Sequence, residues 1–203
     1  MTDSKQSAWF KGMVRVSAIS LAVLLPATAL AWFCGAGGRM TGGGKLVSVI
    51  SDVGGVDVTS PSTNGYELHC DNSLPNNLEV NSHDPNGFHF HLDTLQTANC
   101  YTTLGNQNPP AAGFDTFDAL GSGTWSNGNT SIPACAEWIF IDGQGSPQNN
   151  RSYIRITDSP PLATTEICDA PNTPSTSVGL CPGNTVLLVP AQTPLKGQNQ
   201  AHK

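Results

Sequence analysis

The sequence predicts an all-β domain, an antiparallel β-sandwich or small β-barrel of about nine strands, stapled by disulfides. Three observations predict it. Short runs alternate apolar and polar residues with period two, which places each set on one face of a strand. Gly (21) and Pro (15) are plentiful in the 203 residues while charged residues are only 12%, a composition of strands and turns rather than helices. Six cysteines, an even number, all follow an apolar leader, so three bridges are the default expectation.

The leader is residues 1–31. Lys5, Lys11 and Arg15 precede an apolar run from Val16 to Ala31, which closes on Ala29-Leu30-Ala31, the small-x-small pattern of signal-peptidase sites. The run is short for a membrane span, which takes roughly 20 apolar residues. Cys34 follows the bulky pair Trp32-Phe33, which argues against lipidation. The expected localisation is therefore secreted or extracytoplasmic, in the periplasm or at the cell surface, where disulfides persist. No membrane span is expected after signal cleavage.

Removal of the leader leaves 172 of the 203 residues, enough for one domain. The leader carries three basic residues and one acid, so the net charge moves from −6 to −8. The remaining basic residues are scattered, which excludes the phosphate-neutralising stripe of a nucleic-acid binder. Residues 32–44 are Gly-rich and read as a flexible lead-in. Gly44-Lys45 is followed by Leu46 rather than Ser or Thr, so no phosphate loop is read there.

The domain is expected over 45–190, with 191–203 as a flexible C-terminal tail. Lys45–Ile50 reads as a strand, with Gly54-Gly55 as a turn. Tyr66/Leu68/Cys70, Leu78/Val80 and Phe88/Phe90/Leu92 alternate with polar neighbours, separated by Asp, Asn, Pro and Gly turns. Their spacing of roughly ten residues predicts an antiparallel meander. Residues 105–118 read as a Pro-containing loop. Residues 119–125, 134–142, 152–157, 164–168 and 184–190 read as further strands. No helical apolar rhythm appears after the leader.

Six cysteines allow fifteen pairings. Position along the chain suggests Cys168–Cys181 across a Pro/Ser/Thr-rich loop, Cys70–Cys100 at strand ends in the meander, and Cys34–Cys135 from the remainder.

Several segments resemble one family in order: Tyr66–Asp71 (YELHCD), Pro75–Asn81 (PNNLEVN), Phe90–Leu92 (FHL) with Cys100, Ala112–Thr116 (AGFDT), Gly121–Gly123, Asn127-Gly128, Ala136–Phe140 (AEWIF), Asp142–Gly145 and Tyr153–Asp158. The chain resembles, from about Gly42 to Asp158, an uncharacterised family of secreted or surface-attached bacterial β domains. These domains are often found beside choice-of-anchor modules. The resemblance implies a bacterial extracytoplasmic β domain and supports only the Cys70–Cys100 bridge. It implies no activity. Gly143–Pro147 replaces the acidic-Pro-Gly turn typical of the family, and His89 is an addition beside the family-like His91.

If the meander strands are neighbours, Glu67, His69, Glu79, His89 and His91 share a polar face. Imidazoles at His69, His89 and His91 are then the candidate ligands of a zinc or copper ion. Otherwise no cofactor is expected. Asp115, Asp118, Asp142 and Asp158 fall in or beside loops, where they cap turns or offer oxygens to calcium. Glu67 and Glu79 are the one carboxylate pair a glycosidase would use. Trp138 reads as core, and no G-x-S-x-G elbow is present. The sequence thus favours a non-catalytic binding or structural module with an unknown extracellular ligand or surface partner. Its alternatives are a ligand- or metal-binding barrel, with or without enzymatic chemistry, and a self-assembling surface subunit.

Overall fold

The computed structural model describes residues 32–35, 37–51, 57–71, 73–102, 112–143, 149–161 and 181–202. The leader, Gly54-Gly55, residues 105–111 and the expected strand at 164–168 lie outside them. The described residues contain no α-helix. They form β1 (Trp32–Gly35), β2 (Arg39–Ser51), β3 (Asp57–His69), β4 (Asn77–Ser82), β5 (His89–Tyr101), β6 (Thr116–Ser126), β7 (Ser131–Ile141), β8 (Arg151–Thr157), β9 (Thr185–Pro194) and β10 (Lys196–His202).

All of them belong to one sheet. Its order is β1-β5-β4-β3-β2-β9-β8-β7-β6, and β6 also pairs with β5. The ladders therefore return on themselves, so the sheet curls into a barrel and not into two facing sheets. Each strand from β2 to β8 pairs with its successor in sequence, and all these pairs are antiparallel. The seam is split. β9 meets β2 at Leu188 and Val49, and β10 then takes over β2 from Lys45 to Arg39. β1 adds in parallel to the far half of β5, from Thr97 to Cys100.

The alternation read from the sequence fixes which side faces in. Leu68, Leu78, Val80, Phe90, Leu92, Phe117, Ala119, Trp138, Phe140, Ile154, Ile156 and Leu187 are buried in one continuous core. Trp138 is wholly buried, as expected. Tyr66 stacks on Phe140 with ring centroids 4.2 Å apart. Apolar side chains thus fill the interior, while the outer ends of these ladders carry Glu67, Glu79, His91 and Asp93. Among the described residues, Val47 and Leu74 are the large apolar side chains left exposed. This is the reverse of a membrane barrel, whose apolar band faces outward.

Two expected flexible segments are strands. The Gly-rich stretch belongs to β2, and residues 191–202 complete β9 and form β10. The glycines serve close approach rather than flexibility. A Cβ on Gly42 would stand 2.2 Å from the Gln198 carbonyl oxygen and 2.7 Å from the Tyr66 hydroxyl. Only glycine lets β10 and the Tyr66 ring both press on this backbone. The polar sequence of β10 hides its role because its holding contacts are hydrogen bonds. Tyr66 donates to Asn199 Oδ1 at 2.6 Å, and Asn199 Nδ2 donates to the carbonyls of Ile141 and Arg151 at 3.0 and 3.1 Å. The expected loop at 105–118 also ends earlier, since Thr116–Asp118 already pair in β6.

Cys70–Cys100 is bridged as expected. Cys181 bridges Cys135 with a Cα–Cα distance of 5.5 Å, which excludes both Cys168–Cys181 and Cys34–Cys135. Cys181 precedes β9, whose start pairs with the end of β8, and Cys135 faces that same end of β8. The sheet brings Cys181 over β7, whereas nearness in sequence had favoured Cys168.

Candidate functional site

The outer face of β10, β2, β3, β4, β5 and β6 carries the expected polar residues in ladder rows. One row runs Gln198, Gly43, Gly65, Glu79, His91, Thr124. The next runs Gln200, Thr41, Glu67, Asn77. On the other side run Lys196, Lys45, Thr63, Asn81, His89, Ser126. Residues directly opposite in a ladder project from the same face, so these side chains form a polar band around half of the barrel.

Where Gly43 and Gly65 fall side by side, the band sinks into a trough of about 370 Å³ lined by Thr41, Gly42, Gly43, Asn64, Gly65, Gln198 and Gln200. Amides, a hydroxyl and main-chain groups dominate it. His202 Nε2 lies 2.9 Å from Thr41 Oγ1 at its margin. Across Gly65 the same ladder row continues to Glu79 and His91.

The structure separates the three candidate metal-ligating histidines. His91 Nδ1 contacts Glu79 Oε1. His91 Nε2 is 4.0 Å from Asp93 Oδ1. His89 Nε2 is 3.1 Å from Ser126 Oγ. His69 is elsewhere, with Nδ1 2.7 Å from the Pro75 carbonyl oxygen and its main-chain N–H donating to Asn76 Oδ1 at 2.6 Å. His69 is four positions along β3 from Gly65, which shares the row of Glu79 and His91. At about 3.3 Å per residue that is about 13 Å, so a single ion at His69, His89 and His91 is not what the register supports. Among the described residues no three His, Cys, Asp or Glu side chains converge on one metal-sized point.

Glu67 is held by Arg39 at 2.6 Å. Glu67 and Glu79 lie one ladder step apart on the same open face, each engaged with a basic partner. The loop aspartates are tied into the scaffold. Asp115 accepts from Thr116 Oγ1 at 2.7 Å, and its carbonyl accepts the Asp142 N–H at 2.8 Å. Asp142 Oδ2 accepts the Ala201 N–H at 3.0 Å. Asp158 accepts Asn184 N–H and Nδ2–H at 2.8 and 3.0 Å, and the Asn184 side-chain bond leads in lowering its pKa. Hydrogen bonds from Ser73 lower Asp71 likewise. Asp71 caps its own turn, whereas Asp142 and Asp158 tie together segments distant in sequence.

One polar cluster escaped the sequence reading. Glu137 points outward from β7 but is fully buried, accepting from Tyr153 Oη at 2.7 Å, Cys181 N at 3.2 Å and Arg155 Nη1 at 3.3 Å. Burial, then the Glu137 bond, pushes the Tyr153 hydroxyl pKa up. Burial, with Asp118 and Asp115 nearby, raises Tyr101. Period-two alternation assigns Glu137 to the outer face correctly. It carries no signal that the chain at Cys181 crosses over that face.

The arrangement defines a class, a water-facing, disulfide-bonded β-barrel with a filled interior and a polar trough on its wall. Comparison with protein-family profiles, curated proteins and solved structures gives no match.

Proposed function

We propose that this protein is an exported, non-catalytic binding module that engages an extracellular or surface partner through the trough and polar band of β10, β2, β3 and β4. The observation that carries this reading is the division of the molecule into a packed apolar interior and a polar outer recess. A carrier or enzyme barrel would place its polar groups inside, around a cavity. Here Trp138, Phe90, Phe117 and Phe140 fill that space, and the histidines lie outside. The leader and the two bridges support export, since disulfides endure in oxidising compartments. The family resemblance supports a bacterial surface setting. Ring pairing of β2 to β9 confines the open edges to β1 and β10, short strands that limit the strand-to-strand contact on which the self-assembling alternative depends.

The test is retention on the producer's own envelope. Wild-type protein added to washed envelopes of the producing cells is expected to co-sediment saturably. Gly65→Trp fills the trough without touching the core, because no atom lies within 4 Å of a Cβ built at Gly65. It is expected to lower retention about tenfold while keeping the wild-type melting temperature. Equal retention of the two proteins, or none by either, would refute the reading.

A further inference from the structure

We propose that the trough binds an acidic glycan, with a sugar carboxylate seated between Lys45 and Lys196 and the sugar rings over Gly43 and Gly65. The inference rests on the binding reading above and names its ligand class. Lys45 and Lys196 lie far apart in sequence, yet they face each other directly across the β2–β10 ladder. Both are exposed on the outer face, where direct ladder partners hold their Cβ atoms about 4.5–5.5 Å apart. Like charges in that position repel and destabilise a sheet. Among the described residues no acidic side chain forms an ion pair with either lysine. The chain has only 9 Lys and Arg against 15 Asp and Glu, so a facing pair of cations is not a by-product of a basic surface. An oxyanion between the two ammonium groups removes their repulsion and accepts a charge-assisted hydrogen bond from each.

The trough adjoins this pair. Gly43 and Gln198, themselves ladder partners, are the next residues on the same face after Lys45 and Lys196. Gly43 and Gly65 carry no side chain, and a Cβ at Gly65 would meet no atom within 4 Å. The floor is therefore bare backbone on which a ring can lie. Gln198, Gln200 and Thr41 line it. Gln198 Nε2 donates to Gln200 Oε1 at 3.2 Å, which leaves the Gln198 oxygen to accept and the Gln200 amide to donate. Groups that offer both donors and acceptors match hydroxyls, which do the same. An extended peptide would bind by adding to a free strand edge, whereas this trough lies on a face whose strands are already paired, β2 with both β3 and β10. A dense polyanion such as a nucleic acid is held by many cations, and here there are two in an acidic chain. Hydroxyl-rich rings with a carboxylate on some of them fit both the lining and the charge.

The test is calorimetry on the protein, purified as the cell produces it, with uronate oligomers of the gluco, galacto and manno series and with their methyl esters. At least one acidic series is expected to bind, to bind about tenfold more tightly than its ester, and to weaken as salt is raised. Lys45→Gln and Lys196→Gln are each expected to raise Kd about tenfold and to melt no lower than wild type, because each relieves the repulsion. Gly65→Trp is expected to abolish binding. Arg39→Gln removes a positive charge from the same strand, six positions from Lys45, about 20 Å away and beyond the screening length. It is expected to leave Kd within about twofold. Binding of no uronate series, equal binding of acid and ester, or an equal loss in Arg39→Gln would each overturn the proposal. If the uronates fail while envelopes still retain wild type and lose Gly65→Trp, this inference falls and the binding reading stands.

Discussion

Replacing Gly42 and Gly65 by alanine makes a sharp comparison, because the two sit on adjacent strands as directly paired neighbours of Tyr66 and Gly43. At Gly42 the new methyl would lie 2.2 Å from the Gln198 carbonyl oxygen, and ordinary contact begins at 3.4 Å. One backbone must retreat by about 1.2 Å. Ladder hydrogen bonds reach only to about 3.2 Å, so two or three bonds between β2 and β10 around Gln198–Gln200 are lost. At about 1 kcal/mol each, with overpacking against Tyr66 adding a further 1–3 kcal/mol or so, Gly42→Ala is expected to cost about 3–6 kcal/mol. For a domain of this size that lowers Tm by about 6–24 °C. Gly65→Ala meets open space and is expected to stabilise by about 0.5 kcal/mol through the unfolded chain. Thermal melts followed by circular dichroism read both, and amide exchange reads whether β10 loosens first in Gly42→Ala. A Gly42→Ala protein that melts within about 2 °C of wild type would refute the close-approach argument. So would equal losses at the two glycines.

Two further expectations concern charge and crosslinks. All three tyrosines of the chain (Tyr66, Tyr101 and Tyr153) have raised pKa values, with burial the leading cause in each. The folded state then holds three protons that the unfolded chain releases near pH 10, so stability is full below that pH and falls as pH rises above it. Absorbance at 295 nm is expected to stay flat through pH 10 and to rise together with loss of ellipticity; reversible titration of the tyrosines near pH 10 in folded protein would contradict this. Cys70→Ala with Cys100→Ala opens a loop of 30 residues, worth about 3.6 kcal/mol in chain entropy. Urea unfolding is expected to show a midpoint lower by about 1–3 M, with a slope that rises as the unfolded chain expands, and a loss under about 1 kcal/mol would show that the bridge does not act by constraining the unfolded chain.

The legible parts of this fold were those decided locally. Tyr66–Cys70, Leu78–Val80, Phe88–Leu92, Trp138–Phe140 and Ser152–Thr157 each carry their own alternation, and each is a strand with the expected side buried. What stayed hidden depends on neighbours distant in sequence. The glycines of β2 look like a linker until β10 lies against them. Gln198, Asn199 and Gln200 look like a frayed end until Tyr66, Ile141 and Arg151 receive them. His69 shares a face with His91, as alternation says, but register along the strand sets them about 13 Å apart. Cys135 met Cys181 through the register of β7 with β8 and β8 with β9, which no spacing encodes.

The split seam has a consequence for how the molecule reaches its folded state. The pairs Arg39–His202 and Lys45–Lys196 join positions 163 and 151 residues apart. A chain delivered from its N-terminus must therefore hold the free side of β2 in waiting until almost everything else has arrived. The meander from β3 to β5, with Cys70 and Cys100 at its ends, can pair and oxidise while the wall is still open. Closure comes last, over the longest separation in the molecule, and contacts of that span are slow to form. Chain delivery and folding are thus ordered in time by topology. The first bridge locks an early hairpin stack, and the final seven-residue strand is the latch.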